Sequence, residues 1–371
     1  MKIAFRLSSL AYGGTERVFL SVADFLSRHG HEISFIIDQA VANPTEIVAQ
    51  KKGYEIIDLQ AARTSHSILP LYKYLVRQRP QIVISAYTEI NGATLLSNLM
   101  TGLRTPVIVT EHAALDEHWA KRPFKNKLAL ELIVRVLYRL ASQVLCVSAG
   151  VAEGVRRRVG GVPVSHIYNP VRFKERRHDK LEARRLANIP PASKVILAVG
   201  RISVQKNYKM LVKALAQSKI QDTHLYIVGG VHEVSEKQAL ESLIEKLNLR
   251  HRIHFVDFTD DIGIYYEAAD LLALSSSWEG FGNVLVEALS FGLPIVSTRC
   301  NHGPSEILAE GRYGRLVDVN DHAAMASAID DIVGENPFSA ADQMNRAVDF
   351  SEENIGRQYL ELIQRKLRAS S

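Results

Sequence analysis

Short apolar runs alternate with segments of helical period along most of the chain, the pattern of parallel sheets joined by crossover helices. In the first half the predicted strands are 2–8 (KIAFRLS), 32–37, 54–58, 81–85, 106–110 and 143–148, and a helical pattern at 15–30 closes on Gly30. A second series restarts at 194–200 (KVILAVG) and continues at 223–229, 252–257, 270–275 and 293–298. Between them, 172–193 is densely charged and ends in Pro190–Pro191. Its apolar content is too low for a core element, so it is predicted to be a linker. The pattern thus predicts an α/β chain of two doubly wound domains, 1–171 and 194–350. A tail, 351–371, carries Ile355, Tyr359, Leu362, Ile363 and Leu367 at helical spacing and needs a surface to lie on.

Length agrees with two domains: 371 residues exceed what one core ordinarily serves. Arg6 interrupts the N-terminal apolar run, which therefore reads as a first strand and not a signal peptide, and no apolar stretch is long enough to span a bilayer. Cys146 and Cys300 adjoin apolar runs and read as reduced core thiols of a cytoplasmic protein. Charge divides the chain. Residues 1–190 hold 27 Lys+Arg against 16 Asp+Glu, whereas residues 191–371 hold 18 against 24. A basic half suits anionic lipid or a phosphorylated acceptor. Nucleic acid is disfavoured, since no helix-turn-helix, zinc-finger or RNA-binding signature occurs.

Doubly wound domains carry ligand loops at the C-terminal ends of their strands. The first such loop, SSLAYGGTERV (8–18), holds Gly13 and Gly14 before a helix. It reads equally as a tight turn or as a loop that lets backbone approach an anion, and it lacks the full dinucleotide-binding glycine fingerprint. That gap, with no ribose-binding acid at the usual distance, argues against a dehydrogenase. The second loop, VGRISVQKNYKML (199–211), sets Arg201 just past a strand and Lys206 at a helix start, a pair of cations suited to a diphosphate. In the third, SSSWEGFGNVLVEALSFGLPIVST (275–298), Glu279 lies in a loop, Gly280 and Gly282 allow close approach, and Glu287 sits one turn into a helix. Carboxylates so placed accept hydrogen bonds from vicinal hydroxyls, while helix-start amides attract anionic oxygens.

EGFGNVLVE has the E-x7-E spacing of retaining GT-B-fold glycosyltransferases, and with VGRISVQKN and YGGTERV in the same order the whole chain resembles that family 4-like group, of the bacterial surface-polysaccharide type. The resemblance implies two facing Rossmann-like domains, with the tail helix packing back on the first. It implies that Glu279 holds hydroxyls of the transferred sugar and Glu287 those of the ribose. Gly280, Phe281, Gly282, Asn283 and Val284 would line the sugar and phosphates, and Arg201 and Lys206 the diphosphate. Gly13 and Gly14 would close over it, and Thr15, Glu16 and Arg17 would lie toward the acceptor. His112 would stand by the sugar's reacting face, and Val256, Asp257 and Phe258 by the nucleobase. Arg172 departs from the pattern, standing near where many relatives carry an acid.

The expected reaction is transfer of a hexose-type sugar from a UDP-sugar to a lipid-linked or glycan acceptor; the alternatives are a GDP-mannose-type donor, a soluble acceptor, or a non-catalytic nucleotide-sugar-binding protein. No D-x-D occurs, so no metal cofactor is expected, and the resemblance implies front-face retention. Finally, KRPFKNKLALELIVRVLYRLA (121–141) crowds Lys121, Arg122, Lys125 and Lys127 before an apolar repeat of helical spacing. It is expected to meet an anionic membrane surface at the inner face of the cytoplasmic membrane, although its apolar row could equally pack on the sheet.

Overall fold

The computed structural model describes residues 1–10, 13–40, 48–50, 52–119 and 122–370. The chain forms two compact units, Met1–Arg172 with Phe350–Ser371, and Phe173–Asp349.

Unit 1 carries a seven-stranded parallel sheet ordered β3-β2-β1-β4-β5-β6-β7. Its strands are β1 (Lys2–Leu7), β2 (Glu32–Ile37), β3 (Glu55–Asp58), β4 (Ile82–Ala86), β5 (Val107–Glu111), β6 (Gln143–Cys146) and β7 (Val164–His166). The central strands are buried on both faces, which is why they read as near-continuous apolar runs. Arg6 is the exception and is fully buried. Asp38 neutralises it, and the guanidinium also donates to the Leu7 carbonyl and, at 2.9 Å, to Ser67 Oγ. A buried charge survives here because Asp38 neutralises it and both terminal nitrogens have acceptors, although Nε has none.

Unit 2 carries a six-stranded parallel sheet ordered β10-β9-β8-β11-β12-β13. The strands are β8 (Lys194–Val199), β9 (Thr223–Val228), β10 (Ile253–Val256), β11 (Leu271–Leu274), β12 (Ile295–Thr298) and β13 (Arg315–Val317). The strands that the apolar pattern missed, β7 and β13, are three-residue edge strands that are only partly buried, so neither leaves a run to read.

The segment 172–193 is not a linker. From Phe173 onward it belongs to unit 2, and Lys180–Leu186 is a helix. Its Arg184 is buried, donating to the carbonyls of Ala268 (3.1 Å) and Pro191 and pairing with Asp270 at 2.8 Å. Most of the segment's charges do face solvent, but Arg184 is spent on carbonyls and a carboxylate inside the unit.

The tail forms the helix Glu352–Ser370 and lies in unit 1. Ile355, Tyr359, Leu362 and Ile363 join the cluster of Phe5, Phe19, Phe25 and Phe35. Phe350, placed by the sequence pattern at the end of the second domain, is fully buried in unit 1, edge-on to Tyr168 with centroids 5.3 Å apart. Both cysteines are buried and unpaired. Among the described residues no helix is long and apolar enough to cross a membrane.

Candidate active site

In unit 2 the strand order reverses between β8 and β11, so the loops after these strands meet at the C-terminal edge of the sheet. They are the Arg201–Lys206 loop and the Glu279 loop. Lys206 Nζ donates to Glu279 Oε1 at 2.6 Å, and Ser276 Oγ donates to the same oxygen at 2.7 Å. Glu279 is 8% exposed, so the pair is largely withdrawn from water. The loops are strapped by Gln205 Nε2 to the Trp278 carbonyl (3.0 Å), Ser277 N–H to the Gln205 carbonyl (2.8 Å) and Ser275 Oγ to the Lys206 carbonyl (2.8 Å). Arg201 is exposed, and its side chain takes no partner among the described residues.

The Glu279 loop turns into the helix Asn283–Ser290 through Gly282 at φ +105°, a left-handed conformation that favours glycine. No side chain caps that helix, whose positive dipole end faces the loop. Gly280 is half-buried, Phe281 and Gly282 are buried, and Asn283 and Val284 are half-buried at the helix start. Gly303 packs against the Phe281 carbonyl so closely that a Cβ would collide with it, which holds the loop's back. Glu287, on the helix, is held by the buried Tyr266 hydroxyl, which donates to Oε2 at 2.7 Å. Cys300 lies nearby, and burial first and the Glu279 charge second push its thiol up to about 12, so it stays protonated. At the edge of the sheet the Val256 carbonyl is taken by the Gly229 N–H at 2.9 Å, while Asp257 and Phe258 are exposed beyond the strand.

In unit 1 the order reverses between β1 and β4. Gly13 precedes the helix Gly14–Arg28, and a Cβ on Gly13 would meet the Glu16 carboxylate. Thr15 and Glu16 are buried and Arg17 is exposed. Glu16 therefore faces inward, accepting the Tyr87 hydroxyl at 3.1 Å. Tyr87 itself holds φ +74° ahead of the helix Thr88–Thr101, a strained conformation for a non-glycine residue. His112 follows β5. Its Nε2 lies 2.9 Å from Thr110 Oγ1, and its ring sits edge-on to Phe19, 5.7 Å between centroids. Burial pushes its pKa down to about 3, so the imidazole is neutral throughout the physiological range. Next to it, Glu111 is buried and accepts hydrogen bonds from Tyr138 and, at 3.1 Å, from Thr88 Oγ1. Burial raises this carboxyl to about 7 against the bonds that favour its ionised form.

Sequence reasoning passed over Ser276, Tyr266, Tyr87 and Glu111. Each is a common residue type with no motif around it, and only its contacts mark it. The predicted basic segment is a helix, Phe124–Val136. Arg122 and Lys125 are exposed, Arg122 lies 3.4 Å from Glu89, Lys127 is half-buried, and Lys121 lies outside the described residues. Arg158 turns inward, pairing with Asp116 and lying 3.4 Å from Glu131, so it serves packing in unit 1. Among the described residues no group of three His, Cys, Asp or Glu side chains could hold a metal ion.

Two family models account for most of the chain, Glycosyltransferase Family 4 over residues 12–175 and Glycosyl transferases group 1 over residues 179–349. Curated relatives include a Campylobacter jejuni enzyme whose name describes an α-1,4-N-acetyl-D-galactosaminyltransferase acting on a diphospho-undecaprenol-linked saccharide, 24% identical over 98% of both chains. Another is a lipopolysaccharide core biosynthesis glycosyltransferase of Rhizobium meliloti, 26% identical over 95% of this chain and 96% of that one. Among solved structures, Anabaena HepE in complex with UDP has a TM-score of 0.84 at 22% identity, covering 98% of this chain and 100% of the other. Sucrose-phosphate synthase from Thermosynechococcus elongatus has a TM-score of 0.82 at 20% identity, covering 100% and 99%. The fold is the GT-B architecture of these neighbours.

Proposed function

Since the chain belongs to the glycosyltransferases that join a family 4 domain to a group 1 domain, we propose that it moves a hexose-type sugar from a UDP-sugar to a lipid-linked, lipopolysaccharide or polysaccharide acceptor. Transfer proceeds with retention and without a metal ion, at the inner face of the cytoplasmic membrane. The observation that carries the reading is the half-buried Lys206 paired with buried Glu279 beside an uncapped helix start, at the switch point of a parallel sheet. The names of the relatives, which include lipid-linked and lipopolysaccharide substrates, and the UDP complexes of HepE support the substrate classes.

Each group then has a task. Lys206 has three donors and spends one on Glu279, leaving two for phosphate oxygens. Arg201 and the amides at Gly282–Asn283 add positive potential to the same anion. Glu279 Oε1 is already shared by Lys206 and Ser276, so its other oxygen receives sugar hydroxyls, while Glu287, oriented by Tyr266, receives those of the ribose. Neutral His112 orients the sugar as a hydrogen-bonding group and carries no charge. The bond from the anomeric carbon to the phosphate oxygen breaks, and the acceptor oxygen bonds to that carbon on the same face. The acceptor proton passes to the departing phosphate oxygen, whose growing charge Arg201, Lys206 and the helix start stabilise.

Radiolabelled UDP- and GDP-sugars incubated with a membrane lipid extract test the reading. Label should move into lipid from a UDP-sugar, and proton NMR couplings of the product should show an α bond from an α donor. A β product overturns the retaining mechanism, and transfer from GDP-sugars alone overturns the donor.

A further inference from the structure

The end of β5 holds buried polar side chains whose protons can be counted one by one. Thr110 is 1% exposed, and its Oγ1 lies 2.9 Å from the Ser85 carbonyl and 2.9 Å from His112 Nε2. A threonine hydroxyl has a single proton to donate. β4 and β5 are neighbours in the sheet, so strand pairing fixes the carbonyl opposite the hydroxyl. The Ser85 hydroxyl donates to Asn91 Oδ1, which sets the orientation of that amide. Asn91 Nδ2 then donates to the Thr110 carbonyl at 3.1 Å and to the Tyr138 hydroxyl at 2.8 Å. Tyr138 in turn donates to Glu111. Ser85, Asn91 and Tyr138 are all fully buried. Thr110 is thus held at its carbonyl by Asn91 and at its hydroxyl by Ser85.

One arrangement of protons pairs every member of this network. Thr110 Oγ1 donates to the Ser85 carbonyl and accepts from His112 Nε2–H. In the reverse arrangement Thr110 donates to a bare Nε2, and the Ser85 carbonyl loses that donor inside the sheet. His112 is half-buried and neutral, so its ring carries one proton. With that proton on Nε2, Nδ1 is left with a lone pair. No described residue donates to Nδ1, and Phe19 packs edge-on against the ring.

We propose that Thr110 is a positioning residue: anchored on the Ser85 carbonyl, it fixes His112 in the Nε2–H tautomer, so that the imidazole offers Nδ1 as a hydrogen-bond acceptor only. The tautomer is a property of the free protein. Its use rests on the reading above, in which His112 faces the transferred sugar. Under that reading the sugar group opposite His112 has to be a donor, a hydroxyl and not a carboxylate or carbonyl oxygen. An acceptor placed there meets a lone pair with no proton between them.

Two-bond ¹H–¹⁵N correlation spectra of the full chain, labelled at the histidine nitrogens, read the tautomer directly. The His112 signals are those that His112→Gln removes. Wild type at about pH 7 should show His112 with Nε2 protonated and Nδ1 bare. Thr110→Val keeps the shape and removes the acceptor, so it should give a mixture of both tautomers. Thr110→Ser should restore the Nε2–H form. In transfer from a UDP-sugar, Thr110→Val should lower kcat/KM roughly tenfold, with Thr110→Ser near wild type. A wild-type His112 protonated at Nδ1 overturns the proposal, whether or not Thr110→Val folds. So does a His112 spectrum that Thr110→Val leaves unchanged. The expected spectra with full activity in Thr110→Val confirm the tautomer and overturn the use of His112 in the reaction.

Discussion

The two units share a doubly wound fold, yet the edges that hold their predicted site residues are built by opposite means. In unit 2 the edge is ionic: Lys206 and Glu279 face each other with Ser276, and an uncapped helix start stands beside them. In unit 1 the His112 imidazole is neutral, and Glu111 next to it is buried and raised to about 7. The contrast fits a division of labour under the proposed reaction. Under that reaction, leaving-group charge would fall to the preorganised ions and helix start of unit 2, while His112 would act as a neutral hydrogen-bonding group.

The largest expected effect tests the ionic edge. Lys206→Ala and Glu279→Ala should each lower turnover at least ~10²-fold. Lys206→Ala should also lower the melting temperature more than Glu279→Gln, because it strands a buried carboxylate. Near-wild-type turnover in both alanine variants would remove this edge from the reaction.

Smaller effects are expected where a group only orients. Tyr266→Phe removes the hydroxyl that holds Glu287, and donor KM should rise roughly tenfold with kcat nearly unchanged. His112→Gln should lower kcat/KM by a similar ~10-fold. Its pH profile should keep the wild-type shape between about pH 5 and 8, since His112 does not titrate there. A lost limb in that profile would show that His112 works as an acid or base.

The neutral edge has its own signature in stability. Glu111 is raised from 4.5 to about 7, so folding favours its protonated form. Its contribution is fully present below about pH 4.5 and is lost as pH rises through about 7, on the order of 3 kcal/mol. Glu111→Gln should flatten the fall in melting temperature across that window, measured by thermal denaturation at a series of pH values. An unchanged slope would place the titrating group elsewhere. The smallest expected effect is that of EDTA, which should leave turnover unchanged; loss restored by Mg²⁺ or Mn²⁺ would overturn the metal-free reading.

The two edges also differ in how much of them could be read in advance. Most of unit 2's predicted site residues lie in two contiguous stretches, 199–211 and 275–298, because loop, glycine and helix start must follow one another in the chain to cradle an anion, whereas Val256–Phe258 and Tyr266 fall between them. Unit 1's arrangement draws on Glu16, Tyr87, Glu111 and Tyr138, spread over more than a hundred residues, with no local spacing to betray it.

From the sequence alone followed the two α/β series, eleven of the thirteen strands among the described residues, and the glycine and carboxylate pattern of the Glu279 loop. These are local consequences of apolar period and backbone freedom. Only the tertiary structure decided that Lys206 meets Glu279, because that depends on β8 lying next to β11. It also decided that the charged 172–193 segment packs within unit 2 and that Phe124, Leu128 and Leu132 stay in solvent. An arginine at the surface and one bonded to buried carbonyls read alike in one dimension, as do an apolar face against a sheet and one left open. What separates them is which surface lies opposite, and that is set by strand order and packing over long separations.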